Sequence, residues 1–359
     1  RMSLKPNPSI LEIKPYVAGE GAIKGFERII KLASNENPLG PSPHALEAFK
    51  EAADDLYLYP DPAQKAVRLA IAELHDIPLD HLIVSNGSEA LLDLLIRTYA
   101  STGDEVLFPR FSFPVYPIGA RAAGATPVEA DVKDWGTDID ALLGAVTDKT
   151  KIVILANPNN PTGTWVPRSD LLRLRMGLRS DILLIIDAAY AEYMEDEAYS
   201  AGHDLVKAHH NVVVTRTLSK AYGLASARIG WAHAPFRVID MLKRVRGVFP
   251  TTGPSQAAAV AAIKDQVHVS KTVALNNHLL PWFKAELETR GIKTPPNIGG
   301  NFVLGLFDNW PGGAQAADEI LRAHGITARL VGVPNGLRIS LGLEEDMKKM
   351  LHALDLGKK

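Results

Sequence analysis

The chain has 359 residues, 46% of them hydrophobic and 22% charged, with 39 Lys and Arg against 41 Asp and Glu for a net charge of -2. That length admits two domains, or one large domain with a smaller lobe, and the scattered, nearly balanced charge argues against nucleic acid or an acidic membrane surface as partner. The lack of cysteine excludes disulfides, thiolate zinc sites and a cysteine nucleophile, and fits a reducing cytoplasm.

No signal peptide is evident, and Arg1-Met2-Ser3 reads as a cloning remnant around a start methionine. No apolar run approaches the roughly 20 residues that a membrane helix needs, so a cytoplasmic protein is expected. Residues 1–43, rich in Pro and Gly, read as an extended N-terminal arm carrying the polar turn segment Leu32 to Gly40. From residue 44 short apolar runs alternate with amphipathic helices. Leu82–Val84, Glu105–Phe108, Lys151–Leu155, Ile182–Ile186 and Asn211–Val214 predict buried strands, and Ser88–Tyr99 predicts one of the helices between them. That alternation predicts an α/β fold: a mostly parallel sheet flanked by helices over 44–250, with ligands outside the carboxyl ends of the strands. After the Ala-rich helix near Gln256 to Ile263 the pattern changes, and 251–359 read as a smaller α+β C-terminal domain. It holds strands at Asn301–Leu306 and Gly336–Gly342, with a helix near Gln315 to His324.

The residues that can carry chemistry follow the strands. Ser85-Asn86-Gly87-Ser88-Glu89 opens a helix, where Gly87 lets backbone approach a ligand and free N–H groups attract an anion; an ordinary helix cap uses the same residues. Arg110-Phe111-Ser112-Phe113 supplies Phe113, which can stack on a flat heteroaromatic ring or simply fill the core. Asn157-Pro158-Asn159-Asn160-Pro161-Thr162-Gly163 is a rigid turn able to aim an Asn side chain inward. Asp187, ending an apolar strand, needs a cationic or hydrogen-bonding partner, for which a pyridinium N–H or a helix N-terminus would serve. Finally Thr217-Leu218-Ser219-Lys220, with Arg228 eight residues on, joins hydroxyls, an amine and a guanidinium, a set that can hold a phosphorylated carbonyl compound.

These elements in this order resemble the fold-type I pyridoxal phosphate enzymes of the aspartate aminotransferase superfamily. The nearest subfamily by resemblance is that of the histidinol-phosphate aminotransferases, through Ser34-Asn35-Glu36-Asn37-Pro38, Tyr59-Pro60, Asn157 to Gly163, Arg216 to Ala225 and Leu337-Arg338-Ile339-Ser340. The resemblance implies a fold-type I transferase with pyridoxal 5'-phosphate bound to Lys220 as a Schiff base. The freed Lys220 amine would then move a proton between substrate Cα and cofactor. Asp187 would keep the ring nitrogen protonated, Asn160 and Tyr190 would bind the ring 3' oxygen, and Phe113 would stack on the ring. Gly87, Ser88, Glu89, Thr217, Ser219 and Arg228 would hold the phosphate, joined by Tyr59 from a neighbouring subunit of a homodimer. Asn35, Arg329 and Arg338 would meet substrate, Arg338 at the α-carboxylate and Arg329 at the substrate phosphate. No metal is expected. The implied reaction is histidinol phosphate plus 2-oxoglutarate to imidazole acetol phosphate plus glutamate, a step of histidine biosynthesis.

Two departures stand out: Ala188 replaces the usual Glu after Asp187, and Ser226-Ala227 replaces Gly-Leu before Arg228. An aromatic amino-acid aminotransferase, a decarboxylase or a carbon–sulfur lyase of the same fold are the alternatives. A dinucleotide oxidoreductase is set aside because Gly19-Glu20-Gly21 has the wrong spacing and no strand before it. A pyridoxal-phosphate-binding regulator would need a DNA-binding module that this short arm does not provide.

Overall fold

A computed structural model gives the fold and describes residues 4–358; the suspected cloning remnant Arg1-Met2-Ser3 and the terminal Lys359 lie outside the described residues. The arm makes a 3-10 turn at Pro8–Glu12 and then β1 (Ile30–Lys31). Helix α1 (Pro43–Ala52) starts where Ser42 accepts the His44 N–H at 3.2 Å and Pro43 presets the first turn. After α2 (Lys65–His75) comes β2 (Leu82–Ser85), then α3 (Ser88–Tyr99), β3 (Glu105–Pro109), α4 (Val115–Ala122) and β4 (Thr126–Ala130). A small hairpin, β5 (Val132–Lys133) and β6 (Gly136–Thr137), leads to α5 (Ile139–Gly144). The alternation resumes with β7 (Thr150–Ala156), α6 (Arg168–Gly177), β8 (Leu183–Asp187), α7 (His203–Ala208), β9 (Val212–Thr217), β10 (Gly230–His233) and α8 (Phe236–Val245).

These strands form a seven-stranded sheet in the order β2-β10-β9-β8-β7-β3-β4. Only β10 runs antiparallel to its neighbours. Helices cover both faces, so β8 and β9 are buried at every position and open as continuous apolar runs, Leu183–Ile186 and Val212–Val214, rather than alternating ones. The expected strands are present; β4 and β10 are additions. Strand β10 gains its place by pairing antiparallel with β9 on one side and with β2, far away in sequence, on the other.

Helices α9 (Gly253–Lys264) and α10 (Gln266–Thr289) follow. The last domain holds β11 (Phe302–Leu306), α11 (Gly313–Ala323), β12 (Ile326–Thr327), β13 (Arg329–Leu330), β14 (Gly336–Ser340) and α12 (Glu344–Gly357). Strands β11, β14 and β13 form an antiparallel sheet, and β1 of the arm pairs in parallel with β12. The boundary expected at 250/251 cuts ahead of α9, yet Ala258, Ala259, Ala262 and Ile263 share a core with Val84 and Trp231. Along α10, Val269 and Val273 join that same core, whereas Phe283 and Leu287 pack with Val303 and Ile339. We therefore place the domain division within α10. Small alanines give α9 no polar face, so composition alone could not show which domain it covers.

Candidate active site

The carboxyl ends of β3, β7, β8 and β9 open into a cavity of about 240 Å³, closed from the other side by the arm and β14. Its floor is Lys220, Asp187 and Tyr190; Phe113 and Asn160 form one wall. Ser88, Glu89, Thr217, Ser219 and Arg228 form an anionic-ligand end, and Asn35, Arg329 and Arg338 close the side toward the small domain. All of the sequence-predicted residues thus line one cavity, apart from Gly87, just behind it, and Tyr59.

At the anion end, Gly87 is the N-cap of α3 at φ +99°, and no side chain caps that helix, leaving its first N–H groups for another acceptor. A Cβ on Gly87 would run into the Arg228 guanidinium. Arg228, itself at φ +55°, is oriented by the Ala225 carbonyl at 2.8 Å and by Ser219 Oγ at 3.3 Å. Thr217 Oγ1 accepts the Ser219 N–H at 3.1 Å, shaping the turn that leads to Lys220.

On the floor, Lys220 Nζ donates to the Ser34 carbonyl at 3.1 Å. Burial, then the nearby Arg338 charge, lowers the amine to about 8, Glu36 working against that shift. Asp187 is 6% exposed, and burial raises its carboxyl above the usual range despite the Tyr116 hydroxyl, which donates to Oδ2 at 2.6 Å. Its other oxygen, Oδ1, is buried with no protein partner. An orphaned carboxylate oxygen beside a lysine suits a ligand that brings its own N–H. The residues present therefore fit pyridoxal phosphate: a cation-and-amide cradle for phosphate, an amine for the carbonyl and a carboxylate for the ring nitrogen.

Toward the small domain, Arg338 donates to Asn160 Oδ1 and to the Ala33 carbonyl, both at 2.6 Å, and its Nε is left unpartnered. Arg329 donates to the Val17 carbonyl and lies over the Tyr16 ring at 5.3 Å. Asn35, expected at the substrate, is 1% exposed and holds protein groups at both ends of its amide.

Tyr59 is elsewhere, 82% exposed and stacked on Phe249 at 4.5 Å. Of the two departures, Ala188 faces the core on the far side of β8 and Ala227 packs beside the core of Leu224 and Trp231; neither lines the cavity. Tyr116 was not foreseen as a site residue. Its only sequence signal was a tyrosine three places after Phe113, at the second residue of α4. Among the described residues no helix is long and apolar enough to cross a membrane, and no cluster of His, Cys, Asp and Glu could hold a metal ion.

The family model of class I and II aminotransferases matches residues 27–354. Histidinol-phosphate aminotransferases of Paramagnetospirillum magneticum and Erythrobacter litoralis are 44% and 46% identical to the chain. The alignments cover 97% of this chain and 97% of the first, and 95% of this chain and 94% of the second. The crystal structure of histidinol-phosphate aminotransferase from Sinorhizobium meliloti in complex with pyridoxal-5'-phosphate superposes with a TM-score of 0.91 at 26% identity, over 99% of this chain and 98% of that one. The family match, the full-length relatives and the cradle built on Lys220 and Asp187 agree: this chain belongs to the class I and II aminotransferases, among the histidinol-phosphate aminotransferases.

Proposed function

We propose that the chain transfers an amino group from histidinol phosphate to 2-oxoglutarate with pyridoxal phosphate as cofactor. When bound, that cofactor supplies an electrophilic carbonyl and an electron-withdrawing ring. The observation that carries the reading is the pairing on the cavity floor: a lysine lowered to about 8 and a buried carboxylate with one unsatisfied oxygen. Lys220 would hold the cofactor carbonyl and would serve as base toward the Cα proton; an amine lowered toward neutrality is a competent base at cellular pH. Asp187 would accept from the ring nitrogen, Tyr190 and Asn160 would hold the ring oxygen, and Phe113 would pack against the ring. The α3 N-terminus at Gly87, Ser88 and Glu89, with Thr217, Ser219 and Arg228, takes the phosphate.

Arg338 grips the α-carboxylate of the oxo acid and its amino-acid product, a task its planar fork performs in a bidentate manner. Arg329 meets the substrate phosphate. Tyr59 completes the phosphate site of a second subunit in a homodimer. The exposed Leu56, Tyr57, Leu58 and Phe249 around it give that subunit an apolar surface to cover. We place this dimer in the cytoplasm. A second reading, transamination of aromatic amino acids, is favoured by an apolar compartment of about 530 Å³ beside Phe113, walled by Phe111, Ile118, Leu330 and Val333.

Borohydride reduction of the yellow protein followed by peptide mapping should find the cofactor on Lys220, and a label on any other lysine would sink the reading. Lys220→Ala should lower turnover by on the order of 10⁴-fold. Arg329→Ala should raise KM for histidinol phosphate while leaving glutamate nearly unaffected, and equal losses for both would remove Arg329 from the phosphate.

A further inference from the structure

Asn35 adopts φ +55°, a left-handed conformation that Asn tolerates better than most residues. Its backbone N–H donates to Ser340 Oγ at 2.8 Å, and Ser340 Oγ returns its single proton to Asn35 Oδ1 at 2.8 Å. Turned the other way, the amide would give Ser340 Oγ two donors and leave the buried serine proton with no acceptor among the described residues, so the amide oxygen faces Ser340. The opposite end, Nδ2, then points at Tyr190 and donates to its hydroxyl oxygen at 2.9 Å. Because that oxygen already accepts, the Tyr190 proton is free for another acceptor, and the hydroxyl opens onto the cavity beside Lys220. The clamp is held from outside as well: Asn301 donates to the Asn35 carbonyl at 2.9 Å. Ser340 and Arg338 lie two apart on β14 and so share one face of that strand.

We propose that Asn35 is a positioning residue rather than a substrate contact: locked by Ser340, it obliges Tyr190 to donate its proton to the cofactor's ring oxygen. This rests on the site reading above, in which Tyr190 meets that oxygen. The consequence is electrostatic. A donated hydrogen bond stabilises negative charge on the ring oxygen, and that charge is greatest once the Lys220-linked nitrogen has lost its proton. The clamp therefore lowers the pH at which the bound chromophore deprotonates. Because Ser340 belongs to the strand bearing Arg338, the setting is made by the small domain.

The test is a pH titration of the chromophore absorbance in the cofactor-loaded protein and in Ser340→Ala, Asn35→Gly, Tyr190→Phe and the Asn35→Gly/Tyr190→Phe double variant. Glycine keeps the left-handed backbone and removes only the amide. Each single variant should move the midpoint upward, Tyr190→Phe by about one pH unit, the value of a hydrogen bond to a charged group. In the Tyr190→Phe background Asn35→Gly should add nothing. An unmoved midpoint in Asn35→Gly, with Tyr190→Phe still shifting it, overturns the clamp and leaves the Tyr190 assignment standing. An unmoved midpoint in Tyr190→Phe overturns both. A raised KM for histidinol phosphate in Asn35→Gly with no spectral change returns Asn35 to the substrate. Should Asn35→Gly fail to fold, Ser340→Ala decides by the same criteria.

Discussion

Arg216 and Thr217 are neighbours on β9, and they point to opposite faces of the sheet into two very different polar clusters. Thr217 faces the cavity, where Asp187 Oδ1 and Arg338 Nε have no protein partner and the polar groups await a ligand. Arg216 faces a cluster whose members bond one another away from that cavity, although Arg216 Nε, Glu192 Oε2 and His233 Nε2 have no partner in it. It donates to Glu192 at 2.8 Å and to His203 Nε2 at 2.9 Å, and it sits over the Trp231 ring. Since Arg216 can only donate, His203 must carry its proton on Nδ1, which faces His233 Nδ1 at 2.9 Å. The relay needs both histidines neutral. Similar residue types thus line the Lys220 cavity on one face and bond one another on the other, and what separates them is whether their unpaired polar atoms border that cavity.

That comparison is broken most severely by removing one half of the buried ion pair. Arg216 and Glu192 have side chains only 6% and 8% exposed, so Arg216→Met leaves a carboxylate stranded. A loss of roughly 3–5 kcal/mol in urea unfolding is expected, and replacing Glu192 with Leu as well should restore much of it. A Lys220 chromophore that survives in the folded fraction would confirm that the two clusters act separately.

Acid is the next test. Burial, reinforced by the Arg216 charge at His75 and by the His81 and Lys207 charges at His233, lowers His75 to about 3 and His233 to about 4; burial also lowers His203. The unfolded chain takes up these protons near 6.5, so stability is full above that pH. It should fall as pH drops from about 6.5, His233 ceasing to contribute below about 4 and His75 below about 3. Replacing His233 with Gln should flatten the slope in a pH series of melting curves; an unchanged slope would exonerate the cluster.

The mildest effect is expected on the cavity side. Tyr116→Phe removes the proton donated to Asp187 Oδ2, and the carboxyl, already raised by burial, should rise further. Cofactor affinity should weaken about tenfold, and its loss on acidification should begin at a higher pH than in the unchanged protein. Fluorescence titration across pH would measure both.

The cavity side was the more legible of the two in sequence. Asp187 ends β8, and Lys220 and Asn160 come within a few residues of the ends of β9 and β7; strand ends are marked by local signals: an apolar run, then a turn or a polar residue. The parts that escaped are those made by distance. Ser340 meets Asn35 across 305 positions, and Tyr116 meets Asp187 across 71. No window of sequence contains either pair. Tyr116 is a fully buried core residue as well, and Asn35 was assigned to the substrate only through the family resemblance. The histidine relay was invisible for the same reason: His75, His203 and His233 come from α2, α7 and β10, and each alone is an ordinary helix or strand terminus. The domain division was obscured by α9, whose alanines fit against either body.

The short pairing of β1 with β12 has a consequence for the order in which the chain is made. Ile30 and Lys31 leave the ribosome before any of the large sheet, yet their partners Ile326 and Thr327 come near the end. The intervening domain can assemble as it emerges. The arm must wait, so its cover over Lys220 is set only after residue 327 has been made.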